Sequence, residues 1–347
     1  MADYFYNIHD IVKFKVATKD RLLFSSYFER FKHEFEYFKV DSIDKADFVV
    51  EVGPFKASNE GCVVTEEGRY YIKEGYLYTN DSYKTAQWEV EISRIEDETV
   101  RVRVNPNFSG YLFFGSYIID FLLRVKMNQK GYPFVHGSGI VKDGTAYLFP
   151  ARSGTGKTVT TMHFLDNGFQ LLGDNFFIGH ADKILSFPSS MNIFYYNLAP
   201  KIKKGLTSNI LFGLKLKRLL YQATMGYVKI FTPVSVKSLF KGQIVDEAVP
   251  GKIYLMQVGS EFGIEEMSRE DIIKSLLYNN QMDAYPFIDY ISEYAYVFPD
   301  SWLSRHWEVL EENYGKLVDR VDSWHKVVLP KRVDSVTLQE LGEIIES

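Results

Sequence analysis

The stretch AYLFPARSGTGKTVTTMHFLDNG, residues 146–168, decides how this chain is read. Its apolar start, residues 146–150, has the length and composition of a buried strand. Its end carries Val159, Met162, Phe164 and Leu165 on one side of a helix, with Gly168 placed to stop it. Between them stand Ala151, Arg152, Ser153, Gly154, Thr155, Gly156, Lys157 and Thr158, at the spacing of a phosphate-binding loop. The glycines let the backbone curl so that successive N–H groups face an anion at the positive end of the next helix. Lys157 then supplies a mobile charge for β and γ phosphates, and Thr158 a hydroxyl for Mg²⁺. The pattern predicts that a nucleoside triphosphate binds, with ATP and Mg²⁺ as the expected cofactors. The competing reading is a bland glycine-rich turn, and strand and helix on either side weigh against it.

Length and composition fit this picture. With 347 residues, 46% hydrophobic and 16% aromatic, the chain can bury two or three sizeable cores. A net charge of −5 gives no electrostatic footprint for nucleic acid, and no apolar run approaches the length of a membrane span. The opening residues MADYFYN lack the basic and apolar pattern of a secretion signal. Cys62 is the only cysteine, so neither an internal disulfide nor a thiolate metal site is expected. A reducing cytoplasm is the expected address.

Four segments follow from periodicity. Residues 1–105 read as an α+β domain, with a helix over 22–38 and strands at 48–50, 70–72, 76–78 and 100–104. Residues 106–132 form the connecting segment, with a helix over 110–127 that ends before Gly131-Tyr132-Pro133. Residues 133–265 hold the nucleotide core. Its short strands are expected at 134–136, 139–141, 146–149, 170–172 and 253–258, and its one clear helix at 158–167. The dipeptide Asp143-Gly144 marks a hairpin, which argues for a mixed rather than an all-parallel sheet. Residues 266–347 read as a mainly helical extension with a late strand at 326–329.

Two further residues stand where chemistry could use them. Asp174 follows an apolar strand, facing the crevice that a strand–loop–helix unit creates, where it could orient Mg²⁺ or accept a proton from an attacking hydroxyl. Read alone, it is equally a helix or turn cap. His136 lies between Val135 and Gly137-Ser138-Gly139, and a lone histidine there is more often a core residue satisfied by backbone. The basic stretches 201–204 and 215–218 could dock an acidic peptide or a phosphorylated product, although such runs usually form a solvated helix face. Trp88, Trp302, Trp307 and Trp324 read as core or interface residues rather than a nucleobase cage. The other histidines show no metal-ligand spacing.

Taken together, His136-Gly137, the glycine loop, Gly168 and Asp174-Asn175 give the chain a resemblance to the HPr kinase/phosphorylase superfamily, whose core is related to phosphoenolpyruvate carboxykinase. The likeness is firm over residues 134–177. It implies an α/β fold with a P-loop core of that type and a mixed sheet, together with the N-terminal α+β domain and helical C-terminal extension. It also implies Lys157 on the β and γ phosphates, Thr158 on Mg²⁺, Asp174 as the base that takes the hydroxyl proton, and His136 near the transferred group. Two positions depart from the family pattern. The second acid of the pair is Asn175, a weaker third metal ligand beside Thr158 and Asp174, and the further acidic position is Ile178. No segment matches the loop with which true HPr kinases bind HPr, and the few histidines offer no set suited to the carboxykinase reaction.

The expected activity is transfer of a γ phosphate to a hydroxyl, with Ser or Thr of a peptide or small protein as acceptor. Phosphorylation of a small metabolite such as serine or a sugar is the second reading. A nucleotide-binding regulator without phosphotransfer is the third, motivated by Asn175 and Ile178.

Overall fold

A computed structural model describes residues 2–18, 35–112, 115–189, 242–285, 287–331 and 333–346, with residues 191, 192, 212, 213, 215, 219, 233, 234 and 240 besides. Most of the helix expected over 22–38 lies outside the described residues. So does the basic stretch 201–218, apart from Phe212, Gly213 and Lys215. The chain forms two compact units, residues 1–133 with 280–313 and residues 134–279 with 314–347. The connecting helix belongs to the first unit, and the segment 266–347 is shared between the two.

The first unit is built on a nine-stranded mixed sheet. Its strands are β1 (Ala2–Ile8), β2 (Val12–Thr18), β3 (Lys39–Val40), β4 (Phe48–Val52), β5 (Val63–Thr65), β6 (Tyr70–Lys73), β7 (Tyr76–Tyr83), β8 (Ala86–Ser93) and β9 (Val100–Pro106). They lie in the order β3-β1-β2-β4-β9-β8-β7-β6-β5, and only β2–β4 and β4–β9 are parallel. Tyr6, Ile8, Val12, Phe14 and Val16 alternate onto one buried face of the β1–β2 hairpin. Its turn is made by His9 and Asp10 with φ of 50° and 59°, so it carries no glycine to announce it. Helix α1 (Asp120–Gln129) follows a short π-helical turn, Gly115–Ile119. In this unit the buried Trp88 donates to the Tyr290 hydroxyl at 3.2 Å, which donates to Asp81 at 3.1 Å. Trp88 is thus a core residue, as its sequence context suggests.

The second unit holds an eight-stranded mixed sheet of β10 (Phe134–Lys142), β11 (Thr145–Pro150), β12 (Gln170–Gly173), β13 (Phe176–Gly179), β14 (Ile184–Phe187), β17 (Glu247–Gly259), β18 (Gly263–Glu266) and β19 (Ser323–Pro330). A separate pair joins β15 (Met191–Asn192) to β16 (Pro233–Val234). The sheet curls on itself. One path runs β11-β10-β13-β14-β17, and β17 also pairs directly with β11, so five strands close a ring. Helix α2 (Lys157–Asp166) follows β11, and the later helices are α3 (Arg269–Asp283), α4 (Ile288–Val297), α5 (His306–Val318) and α6 (Ser335–Glu346). Phe149, Phe164, Tyr254, Met256, Leu329, Leu341 and Ile345 form one buried core of sheet, α2 and α6.

The hairpin at Asp143-Gly144 is present, with φ of 51° and 80°. The two short strands expected at 134–136 and 139–141 are one strand of 9 residues. Gly137 does not interrupt it. A Cβ there would lie 2.6 Å from the Phe149 carbonyl oxygen and 2.7 Å from the Pro150 Cα, so the glycine marks a close backbone approach. Strand β17 likewise begins well before residue 253, because Pro250 and Gly251 sit at a register shift opposite Ala146 and Tyr147 rather than in a turn.

Candidate functional site

The loop Ala151–Thr158 is fixed at both ends. Ala151 extends the β11–β17 pairing through a parallel bridge to Met256, and Lys157 opens α2. Gly154 and Gly156 have φ of 87° and 97°, the left-handed conformation that a side chain would strain, and Gly156 directly precedes the helix. The Thr155 hydroxyl donates to the Arg152 carbonyl at 2.9 Å and closes the loop on itself. Lys157 reaches back into this curl, where its ammonium donates to the carbonyls of Ala151 at 2.9 Å and Arg152 at 3.0 Å. The lysine is only 7% exposed, so its charge is directed at the loop and not at bulk solvent.

His136 and Asp174 both meet this loop. The Nε2 of His136 is 3.4 Å from the Lys157 ammonium. The ring leans on Phe176. The carbonyl of His136 accepts from the Ala151 N–H at 3.2 Å and from the Asn279 side-chain amide at 2.7 Å, while Arg152 donates to the Asn279 carbonyl at 3.4 Å. Asn279, on α3, therefore holds the site from an element far along the chain. Nothing local in the sequence marks it, since the contact spans 143 residues.

Asp174 sits between β12 and β13. Gly173 makes the approach possible, since a Cβ there would be 2.0 Å from the Phe176 carbonyl oxygen. The Thr158 hydroxyl donates to Asp174 Oδ2 at 2.9 Å, whereas Oδ1 is buried with no hydrogen-bond partner. No backbone N–H is donated to the carboxylate among the described residues, so the arrangement is not that of a cap. Burial raises the Asp174 carboxyl above the ordinary range; the Thr158 hydroxyl and the Lys157 charge offset part of that rise. Asn175 is half-buried, and its carbonyl accepts the Gly137 N–H at 3.0 Å. Ile178 is fully buried in β13, opposite Phe134 and Leu185.

The structure thus brings His136, Lys157, Thr158 and Asp174 to one loop, and Asn175 beside them. It leaves His163 on α2 out of this set, bonded to Asn167. Among the described residues no group of three or more His, Cys, Asp or Glu side chains could hold a metal, so any ion at Asp174 would rely on hydroxyl, amide and water oxygens. A buried carboxylate with a raised pKa beside a lysine ammonium and a curled glycine loop can hold an anion and accept a proton within the same small volume. Among the described residues, no helix is long and apolar enough to cross a membrane. No protein-family model matches the chain, and no curated protein matches it.

Proposed function

We propose that the chain is an ATP-dependent kinase that transfers the γ phosphate to a hydroxyl, with Ser or Thr of a peptide or small protein as acceptor. The observation that carries this reading is the meeting of Lys157, the Thr158–Asp174 pair and His136 at a left-handed glycine loop between a buried strand and a helix. Residues 151–158 would hold the phosphates through backbone N–H groups, with the Lys157 ammonium exchanging its carbonyl contacts for phosphate oxygens. The acceptor hydroxyl oxygen bonds to the γ phosphorus as the bond to the bridging oxygen breaks. Its proton passes to Asp174, and the bridging electron pair stays on the departing diphosphate. His136, with Nε2 beside Lys157, would position the transferred group.

The residues fit Mg²⁺. Asp174 Oδ1 is a buried carboxylate oxygen without a partner, Thr158 bonds the other carboxylate oxygen and Asn175 is the next residue in the chain; together they would offer oxygens of the kind this ion takes while keeping several waters. Bound there, Mg²⁺ would neutralise charge on the phosphate oxygens.

Incubation with labelled ATP, Mg²⁺ and candidate peptides, followed by mass spectrometry, tests the reading. Wild type should label a Ser or Thr, and Lys157→Ala should abolish both labelling and ATP binding. Unchanged ATP affinity in Lys157→Ala would remove the loop from nucleotide binding. Labelling of free serine or a sugar instead of any peptide would move the acceptor to a small metabolite. The neutral Asn175 favours a second reading, a nucleotide-binding regulator, which binds ATP and labels nothing.

A further inference from the structure

Three parallel strands end along one edge of the second unit. The pairings Leu148↔Ile253, Ile253↔Trp324 and Gly259↔Pro330 show that β11, β17 and β19 run the same way, and the Ala151–Met256 bridge sets the end of β11 level with Met256 and Val327, so that β17 and β19 continue beyond it to Gly259 and Pro330. The glycine loop occupies the first of these ends.

The groups that would handle the γ phosphate all lie on one side of β11. His136 is on β10, the antiparallel neighbour of β11, and Asp174 follows β12, which pairs with β10. On the other side lie β17 and β19. A triphosphate whose terminal phosphate points toward His136 and Asp174 therefore directs its nucleoside toward the ends of β17 and β19.

That flank has its own surface. The segment after β19 returns to the glycine loop: the Val333 Cγ2 lies 3.4 Å from where a Cβ of Gly156 would be, and the Leu329 Cδ1 lies 3.9 Å from it. Phe262, in the turn between β17 and β18, precedes the Gly263↔Val328 pair and so stands beside Leu329 at the same edge. Val333 and Phe262 are both half-buried and pack on the core that contains Ala151, Leu329 and Leu341. Asp334, next to Val333, is committed to capping α6 through Thr337. An aliphatic and an aromatic side chain, each partly open to solvent, thus adjoin the place where a phosphate chain would end in a ribose and a flat base.

We propose that Val333 and Phe262 form an apolar subsite for the ribose and nucleobase of a nucleoside triphosphate whose phosphates occupy residues 151–158. The subsite rests on the phosphate-loop reading and adds the reason that a nucleotide, and not a bare polyphosphate, is the donor. Contact with the π-face of a base stabilises binding without reading its hydrogen-bonding edge.

Isothermal titration with two probes, Mg·ATP and Mg·tripolyphosphate, separates the two claims. Wild type should bind ATP at least about 10-fold more tightly than tripolyphosphate, a ratio in the range that base stacking supplies. The double substitution Val333→Ala/Phe262→Ala should remove most of that ratio while leaving tripolyphosphate affinity unchanged. Equal wild-type affinities for the two probes, a variant that keeps the ratio, or a variant that weakens both probes in proportion would overturn the subsite. Wild-type protein that binds neither probe would instead overturn the phosphate-loop reading, and the subsite with it. Should the double variant fail to fold, Val333→Thr and Phe262→Leu tested singly decide between the same outcomes, with tripolyphosphate affinity as the check on the loop.

Discussion

Replacing Asp174 with Asn should make the protein more stable and less active. The carboxyl is 8% exposed, with one oxygen accepting from Thr158 at 2.9 Å and the other buried without a partner. Removing the charge relieves a burial penalty that amounts to several kcal/mol per ion even after relaxation. Against this, a hydrogen bond to a charged acceptor, about 1.5–3 kcal/mol, becomes a neutral one of about 0.5–1.5 kcal/mol, and the amide NH₂ inherits the unpartnered position. The net expectation at pH 7 is a gain of about 1 kcal/mol, or ~2–4 °C in Tm for a unit of this size. Its pH dependence has a definite sign. Because the folded carboxyl titrates above its unfolded value, its favourable contribution is complete below the unfolded pKa and is lost as pH rises through the folded one. Asn does not titrate, so the Tm difference should be small near pH 4 and grow toward neutrality. Phosphotransfer should fall by about 10²–10⁴-fold, the usual contribution of a general base, with ATP affinity retained. Calorimetry between pH 4 and 8, with single-turnover assays on the same samples, provides the measurement. A variant that melts lower than wild type at pH 7, or a Tm difference independent of pH, would refute the picture of a buried charge, and full turnover would remove Asp174 from the chemistry.

Thr158→Val deletes the hydroxyl that lowers the Asp174 carboxyl, so its titration, followed by carboxyl ¹³C NMR without nucleotide, should move further up; an unmoved titration would show that the 2.9 Å bond does not form in solution. Gly137→Ala places a Cβ against the backbone of Phe149 and Pro150, atoms with little freedom to yield. It should lower stability by about 1–3 kcal/mol in denaturant titration, and an unchanged midpoint would contradict the close approach. Asn175→Asp should tighten Mg²⁺ dependence of phosphotransfer by about 10-fold if residue 175 faces the ion, since a carboxylate holds this cation better than an amide; an unchanged Mg²⁺ titration would exclude the residue from the metal set.

The parts of the fold that local sequence specifies were legible, and those that depend on distant contact were not. The strand, loop and helix of residues 145–166 are written in apolar spacing and paired glycines, and Asp143-Gly144 announces its hairpin. The β1–β2 hairpin turns instead through His9 and Asp10, both at positive φ but without the glycine that marks such a turn, so its clean alternation passed without a turn signal. Strand β13 was hidden because Phe176–Gly179 is only 4 residues long and its neighbour Gly173 reads as a loop residue. Closure of the sheet through β11–β17 was beyond local reading altogether, since it pairs residues about a hundred positions apart across a Pro250-Gly251 irregularity.

The candidate site divides along the same line. Lys157 and Thr158 belong to a motif, so their positions could be read directly, whereas Asp174 alone was undecided between cap and carboxylate until its bond to Thr158 set it against the loop. Asn279 and Val333 carry no motif and enter only through long-range packing. Ile178 shows why a departure from a sequence pattern needs its packing before it is given a meaning. Its side chain is fully buried on β13, opposite Phe134 and Leu185, and an ionised acid there would be a buried charge without a counterion. Isoleucine at 178 is therefore what this core requires, and its presence does not weigh against phosphotransfer. The half-buried Asn175, next to Asp174, is the position where, on the proposed kinase reading, loss of a metal ligand would have chemical consequence, and the choice between kinase and nucleotide-binding regulator turns on it.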